Sequence, residues 1–246
     1  MLFGWRLASI VALASLGGCA SNAGRSPLAE WSPSVNFNAR QADIILLHHT
    51  AMDGFEQALR VLKTRNSQGR VSAHYLIGSD GRIAQLVGEE QRAWHAGTGH
   101  WHGLADLNSR SIGIELDNNG QAPFAKPQID ALLRLLLDIT QRQGIDPRQV
   151  WAHGDIAPGR KADPSRYFPW ATLAEAGFGL WPRAQLADPP EGFDAFSALR
   201  LMGYDLRNID AAVRAYRRHF RGDENAQLDS HDQRLLFDLF QQLDER

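Results

Sequence analysis

Short apolar runs alternate with amphipathic stretches over the first three quarters of the chain, and this alternation constrains the fold more than any other feature. The spacing of apolar residues predicts helices over Phe55–Arg65 and Ile129–Gln143. The runs predicted as strands are Asp43–His49, His74–Ile77, Arg82–Val87, Ser111–Leu116 and Val150–His153. Strands mixed with helices at these intervals predict an α/β fold, in which a mixed central sheet is flanked by helices.

The pattern changes near Ala187-Asp188-Pro189-Pro190, where a linker is expected. Beyond it only helical periodicity remains, with helices predicted over Phe193–Met202, Ile209–Phe220 and Asp229–Leu243. The chain is therefore predicted to contain a sheet domain over residues 41–186 and a small three-helix domain over residues 187–246.

The N-terminus has the layout of an export signal. Arg6 precedes the apolar run Leu7–Leu16, which is too short to span a bilayer, and Gly17-Gly18-Cys19 follows. Leu-Gly-Gly-Cys resembles a bacterial lipobox, which implies removal of residues 1–18 and a lipid on Cys19; an ordinary secretory signal is the alternative. Residues 19–40 then form a tether. The next residue, Ala20, implies sorting to the outer membrane, on its periplasmic face.

Charge and cysteine content exclude several classes of function. The chain has 26 Lys and Arg against 28 Asp and Glu, a net charge of −2, so no bulk field attracts nucleic acid. A single Cys cannot form an internal disulfide or a cysteine-based zinc framework. Any metal site must therefore use His, Asp or Glu side chains.

Histidine is concentrated before the linker, and two of these residues follow predicted strands. His48 and His153 each lie at a strand end, and Asp163 follows ten residues after the second. Two imidazoles, one carboxylate and an open fourth position match the ligand count of a catalytic zinc site. Glu115, alone in the apolar strand SIGIEL, suits a general base, and Lys161 suits stabilisation of an oxyanion. These residues alone leave other combinations of His and Asp open.

Five sequence segments together narrow the classes of protein to which the chain can be compared. They are IILLHHTA (44–51), VSAHYLIGSDGRIAQLV (71–87), AWHAG (93–97), SIGIELDNNG (111–120) and AHGDIAPGRKADP (152–164). In this order they resemble the motifs of the type 2 family of zinc-dependent N-acetylmuramoyl-L-alanine amidases, over roughly residues 40–182. The family shares its fold with the peptidoglycan recognition proteins. The lipobox and the C-terminal helices resemble the layout of outer-membrane lipoprotein members of the family.

The resemblance implies a role for each matching residue. Zn²⁺ would be held by His48, His153 and Asp163, and the neighbouring His49 is the alternative to His48. Glu115 matches the catalytic glutamate, and Lys161 matches the lysine that assists the oxyanion. His95 matches a residue that lines the substrate groove, and Trp94 beside it is a second candidate for substrate contact. Asn118 is a further candidate for substrate contact, although Asn-Asn-Gly is also an ordinary turn.

The implied reaction is hydrolysis of the amide between N-acetylmuramic acid, intact or in its 1,6-anhydro form, and the L-alanine of the peptidoglycan stem peptide. The implied partners are peptidoglycan or muropeptides and the outer membrane, with no nucleic acid. Two alternatives remain: a recognition protein of the same fold that binds peptidoglycan without cleaving it, and a zinc hydrolase that acts on another amide.

Four further features allow two interpretations each. His74 alternates with apolar residues, which favours a structural hydrogen bond over a metal ligand. Trp101 is expected either to stack on a sugar ring in the groove or to lie elsewhere. The C-terminal helices resemble a three-helix peptidoglycan-binding domain, or are a packing appendage. Within them a basic stripe suits either an anionic polymer or pairing with acidic residues, and it comprises Arg214, Arg217, Arg218 and Arg221.

Overall fold

The computed structural model describes residues 25–39, 42–65 and 69–245. The strands are β1 (Glu30–Trp31), β2 (Phe37–Ala39), β3 (Ile44–His49), β4 (Tyr75–Ile77), β5 (Ile83–Gln85), β6 (Gln91–Ala93), β7 (Ser111–Leu116) and β8 (Val150–Ala152). The α-helices are α1 (Phe55–Lys63), α2 (Lys126–Gln143), α3 (His153–Ile156), α4 (Trp170–Glu175), α5 (Ala195–Met202), α6 (Ile209–Phe220) and α7 (Ser230–Asp244). The predicted signal peptide and Cys19 lie outside the described residues.

A six-stranded sheet in the order β1-β5-β4-β7-β3-β8 forms the centre of the fold. The strands β4, β7, β3 and β8 are parallel to their neighbours in this series, whereas β5 runs antiparallel to β4. A separate antiparallel pair joins β2 to β6. The predicted mixed sheet with flanking helices is therefore confirmed.

Element boundaries differ from the sequence predictions by a few residues. The helix predicted from Ile129 begins at Lys126, because Pro127 occupies its first turn, where a missing N–H costs nothing. It ends before Gly144, which is left-handed (φ 67°) as the helix cap requires. The last predicted strand stops at Ala152, since His153 already begins α3.

Alternation along β3 divides the core into two layers. Ile45 and Leu47 face the cluster that contains α2, whereas Ile44 and Leu46 face a second cluster that contains α5, α6 and α7. Because successive side chains point to opposite faces of a strand, His48 shares the face of Leu46. In the described part of the chain, no helix is both long enough and apolar enough to cross a membrane.

The C-terminal helices share a hydrophobic core with the sheet domain. Trp101 is 1% exposed, with its ring 4.6 Å from that of Trp151 and 5.3 Å from that of Tyr204. The suggestion that Trp101 stacks on a sugar was therefore wrong, because its ring is buried between β8 and the segment that follows α5. Peptidoglycan binding by these helices stays a prediction.

The basic stripe of α6 is largely paired within the protein. Arg217 is buried, and its guanidinium donates to Asp232 and, at 2.7 Å, to Asp223. The other three arginines have acceptors at 2.6–2.8 Å: Arg218 the carboxylate of Glu224, Arg221 that of Asp232 and Arg214 the backbone carbonyl of Glu224. The structure thus favours the interpretation of the stripe as a paired face rather than an attractant for anionic polymer.

Candidate active site

The predicted site residues lie at the carboxyl ends of three neighbouring parallel strands. In β3, His48 is paired in register with Glu115 of β7, and Leu47 is paired with Ala152 of β8. His153 follows Ala152 directly as the first residue of α3. Since the carboxyl ends of parallel strands meet at one edge of a sheet, side chains separated by about 100 residues become neighbours there.

Asp163 reaches this edge through the loop that follows α3. The backbone N–H of Gly154 donates to the carbonyl of Asp163 at 2.8 Å and so ties the loop to the helix. The Asp163 Oδ2 atom lies 3.1 Å from His48 Nδ1 and 2.9 Å from His153 Nδ1. The two Nδ1 atoms are 2.9 Å apart. Three potential ligand atoms therefore converge on one point.

A hydrogen bond on the side of the His153 ring away from the convergence point determines which ring nitrogen presents a lone pair to that point. His153 Nε2 lies 2.9 Å from the carbonyl oxygen of Ala96. A carbonyl oxygen only accepts, and Arg160 Nη2, which lies 3.3 Å from Nε2, makes its shorter hydrogen bond of 2.7 Å to the same carbonyl, so the network assigns the hydrogen to Nε2. In the neutral ring Nδ1 then has no hydrogen, and its lone pair points at the convergence point.

A chain of hydrogen bonds likewise determines that Nδ1 of His48 presents a lone pair to the convergence point. Ser111 Oγ donates to the carbonyl of Leu107 at 2.5 Å, so it can only accept from His95 Nε2 at 3.4 Å. His95 Nδ1 then lacks a hydrogen and accepts from His48 Nε2 at 3.0 Å. The remaining nitrogen of His48, Nδ1, is thereby left as a lone pair that faces Asp163. This tautomer is assigned from the hydrogen-bond network.

The donor set fits a tetrahedral divalent metal ion. Bond lengths of about 2.0–2.1 Å to zinc place tetrahedral ligand atoms roughly 3.3 Å apart, close to the separations here. Burial, and then the neighbouring His153, lower the pKa of His48 to about 4, so its ring is neutral near pH 7. Burial alone would raise the pKa of Asp163, but when a proton rather than a metal ion occupies the convergence point, hydrogen bonds and positive charge from His153 and His48 hold this pKa well below its usual range. A carboxylate and two neutral imidazoles form an acceptor cluster that needs a cation.

Glu115 lies beside this cluster with an unusual proton affinity. Burial, and then the negative charge of Asp163, raise its pKa from 4.5 to about 8, and the charge of Lys161 opposes this rise. Its Oε2 atom is buried and has no hydrogen-bond partner among the described residues. A carboxylate with a pKa near the ambient pH and an unpaired oxygen is suited to proton transfer.

A cavity of about 310 Å³ opens over these groups. Lys161 lines this cavity together with Glu115. Among the described residues, its ammonium group has no hydrogen-bond or ion-pair partner. The predicted substrate contacts Trp94 and His95 also line the cavity. Its remaining lining includes Thr50, Ala51, Met52, Val61, Leu62, Val71 and Ser72.

Asn118, a predicted substrate contact, does not line the cavity but adjoins it, because its backbone carbonyl accepts from the N–H of the lining residue Ala51 at 3.0 Å; contact with substrate stays a prediction. The Oδ1 atom of Asn118 accepts from the backbone N–H of Gly120 at 2.7 Å, and its Nδ2 donates to the carbonyl of Ala122 at 3.3 Å. The side chain thus closes a turn, which was the alternative interpretation of Asn-Asn-Gly.

The structure separates His48 from the other histidines that the sequence left open. His49 Nδ1 accepts from the backbone N–H of Ser165 at 3.1 Å, so it is outside the convergent group. His74 has a structural role, because its Nδ1 accepts from Gly113 N–H and its Nε2 lies 2.9 Å from the carbonyl of Gln91. Among the described residues, His48, His153 and Asp163 form the group placed to hold a metal ion.

Sequence reasoning missed the residues that hold His95 in place. The carbonyl oxygen of the Asn108 side chain accepts from the N–H groups of His95 and Ala96 at 2.9 and 2.8 Å. At Gly113, a Cβ atom would lie 2.4 Å from the His95 ring. A glycine inside an apolar strand indicates such a close approach, so Gly113 in SIGIEL was the available signal.

Comparison with known proteins agrees with this geometry. The family model for N-acetylmuramoyl-L-alanine amidase (Amidase_2) matches residues 38–166. The chain is 37% identical to N-acetylmuramoyl-L-alanine amidase AmiD of Escherichia coli over 89% of this chain and 90% of AmiD. The chain belongs to the N-acetylmuramoyl-L-alanine amidase family. The prediction that it is an enzyme of this family is therefore confirmed.

Other members of the amidase family match in part or in structure. The 1,6-anhydro-N-acetylmuramyl-L-alanine amidase AmpD of Haemophilus influenzae is 42% identical over 42% of this chain and 56% of AmpD. The structure of E. coli AmiD in complex with the substrate anhydro-N-acetylmuramic acid-L-Ala-D-γ-Glu-L-Lys superposes with a TM-score of 0.72 at 37% identity, covering 82% of this chain and 89% of AmiD. AmpDh3 of Pseudomonas aeruginosa gives a TM-score of 0.74 at 34% identity, covering 83% of this chain and 93% of AmpDh3.

Proposed function

We propose that this amidase is zinc-dependent and hydrolyses the amide between N-acetylmuramic acid, intact or 1,6-anhydro, and the L-alanine of the stem peptide. The observation that carries the proposal is the convergence of His48, His153 and Asp163 within 3.1 Å of one another, beside Glu115. The substrate class is supported by the AmiD complex, whose ligand is an anhydro-N-acetylmuramic acid peptide.

The residues around the cavity divide the steps of hydrolysis between them. A Zn²⁺ ion held by the three ligands would lower the pKa of water and polarise the scissile carbonyl. The carboxylate of Glu115 accepts a proton from the attacking water and delivers it to the nitrogen of the departing L-alanine. The burial that raises its pKa favours the protonated form between these steps, and the charge of a bound cation would oppose that rise and keep the resting group ionised. Lys161 supplies positive charge next to the oxyanion that develops on the carbonyl oxygen.

Removal of the metal is expected to abolish cleavage. Purified protein should release the stem peptide from muropeptides of both forms, lose this activity on dialysis against a chelator, and regain it with about one equivalent of Zn²⁺. Mass spectrometry of the products identifies the bond that is cut. Zinc binding without any cleavage would support the recognition protein instead, and cleavage of other amides alone would support a different hydrolase.

We also propose that the protein is a lipoprotein of the outer membrane, anchored through Cys19 on the periplasmic face. The support is the run Leu7–Leu16 followed by Gly-Gly-Cys, with Ala20 next. Two acyl chains anchor a protein stably, whereas a single chain gives only reversible binding.

Replacing Cys19 with Ser is therefore expected to remove the lipid and the membrane association together. Incorporation of labelled palmitate and density-gradient fractionation of membranes measure the two effects. Ala20→Asp is the matched control: it should keep the label but move the protein to the inner membrane. Labelling that persists in Cys19→Ser would contradict the anchor.

A further inference from the structure

The helix that carries the ligand His153 is too short to hold its own position. Helix α3 contains four residues, His153–Ile156. A single turn fixes several backbone dihedral angles for little hydrogen-bond gain, so isolated short helices are unstable in water. The placement of His153 to within a fraction of an ångström must therefore come from contacts that α3 makes with neighbouring elements.

Apart from the ligand His153, Asp155 is the residue of α3 whose side chain makes hydrogen bonds, and two of its three donors come from the C-terminal region. Its side chain is buried, and Oδ2 accepts from the backbone N–H of Ala152 at 2.9 Å. The same oxygen lies 2.6 Å from His219 Nδ1 of α6. Oδ1 accepts from the hydroxyl of Tyr204, just after α5, at 2.9 Å.

Both donors are fixed by packing. The His219 ring is stacked on Trp170, with ring centroids 3.7 Å apart and an interplanar angle of 18°, and on Phe220 at 4.2 Å. The Tyr204 ring is 2% exposed and packs against Trp101. Because neither ring has room to follow a shift of α3, the two donors define where Asp155 lies.

A separate contact joins α6 to the segment between two ligands. A Cβ atom on Gly154 would lie 2.9 Å from a guanidinium nitrogen of Arg218, so α6 lies close against this residue. Gly154 N–H in turn donates to the carbonyl of Asp163. Helix α6 therefore contacts the backbone that connects His153 to Asp163.

From these contacts we propose that Tyr204 and His219 are positioning residues for the metal ligand His153, acting through Asp155. The C-terminal helices complete the metal centre, in addition to any role in wall attachment. The inference rests on the proposed zinc site. It assigns no direct contact with substrate, because neither residue lines the active-site cavity.

The test uses the full mature chain with Tyr204→Phe, His219→Phe and the double substitution. Each change keeps the aromatic ring and removes one donor to Asp155. Competition with a chromogenic chelator is expected to show zinc binding weakened about threefold in each single variant and about tenfold in the double variant, at the low end of effects known for outer-shell residues. The value of kcat should fall with it, while KM for muropeptide stays unchanged.

Two matched variants separate positioning from general loss of stability. Tyr216→Phe removes a hydroxyl from the same core, near Asp232, that makes no hydrogen bond to Asp155. His219→Asn keeps an N–H at nearly the position of Nδ1 and should restore zinc affinity relative to His219→Phe. The visible spectrum of the Co²⁺-substituted protein reports the ligand geometry directly and should change in the double variant alone among the folded set.

Unaltered zinc affinity and an unaltered Co²⁺ spectrum in a folded double variant would overturn the inference. If His219→Phe does not fold, the zinc affinity of Tyr204→Phe decides the question: a loss of about threefold supports the inference, and an unaltered affinity overturns it. A weakening equal to that of Tyr216→Phe would also overturn it, since the effect would then reflect stability. Failure of the unsubstituted protein to bind Zn²⁺ would instead remove the proposed function, and the inference with it.

Discussion

Replacing Glu115 with Gln is expected to lower kcat for muropeptide hydrolysis by about 10³-fold, within the range for loss of a general base, while Zn²⁺ remains bound at one equivalent. Gln has nearly the same shape but accepts no proton at neutral pH. Glu115 is not one of the three convergent ligands, so the metal site keeps its donors. Peptide release and metal content, measured on the same sample, give the two readouts.

Asp117→Asn is the matched control for Glu115→Gln. Burial also raises the pKa of Asp117, but this residue does not line the cavity. Its amide variant keeps the size of the side chain and should therefore keep kcat within about twofold, a change of roughly 0.4 kcal/mol in the barrier. Normal turnover in the Glu115→Gln enzyme would exclude Glu115 as the base, and loss of zinc from it would show that Glu115 supports the metal instead.

Glu115→Gln is also expected to change how the stability of the metal-free protein depends on pH. The pKa of Glu115 is about 8 when folded and 4.5 as a free side chain, so between these values the folded state binds more protons than the unfolded state. Stability then falls as pH rises through this window. Glu115→Gln removes this loss, so the metal-free variant and the metal-free wild type should differ more in melting temperature at pH 8 than at pH 5.

Periodicity predicted the sheet and the longer helices because those signals are local. Strand β7 was predicted with the bounds Ser111–Leu116 that the structure has, and α6 with the bounds Ile209–Phe220. Strand β7 is an almost continuously buried apolar run, whereas α6 buries residues that recur at the helical period. Strands of two or three residues, such as β1 and β6, are shorter than the run of about four residues over which strand alternation can be recognised.

The family motifs identified the site residues. The contacts that hold these residues in place depend on packing that no local sequence pattern shows. Trp101 and Arg217 resemble exposed residues in sequence, yet both are buried: Trp101 packs against Trp151 and Tyr204, and Arg217 is paired with acidic residues up to 15 positions away. Asp155 lies two residues after His153 in a motif that predicts a loop. Its two donors from the C-terminal region, Tyr204 and His219, lie 49 and 64 residues away in the chain, so only the folded structure shows these contacts.

The largest effect on the metal is expected from Asp163→Ala. This change removes the only charged ligand from the group and leaves two neutral imidazoles, which cannot balance a divalent cation in a buried site. Loss of an outer-shell partner already costs about 10- to 100-fold in metal affinity, so loss of this carboxylate should cost more than about 100-fold. Chelator competition and metal analysis after dialysis measure it, and turnover should disappear in parallel.

Comparing the two adjacent histidines sharpens this test, because they differ in the group that each ring contacts. His48→Ala should lose zinc as Asp163→Ala does, since His48 Nδ1 faces Asp163 at 3.1 Å. His49→Ala should retain it, since His49 Nδ1 accepts a backbone N–H from Ser165. Full zinc content in Asp163→Ala would refute the ligand assignment, and loss of zinc from His49→Ala with retention in His48→Ala would move the first ligand by one residue. Glu115 would then need reassignment too, because its register partner in β3 is His48.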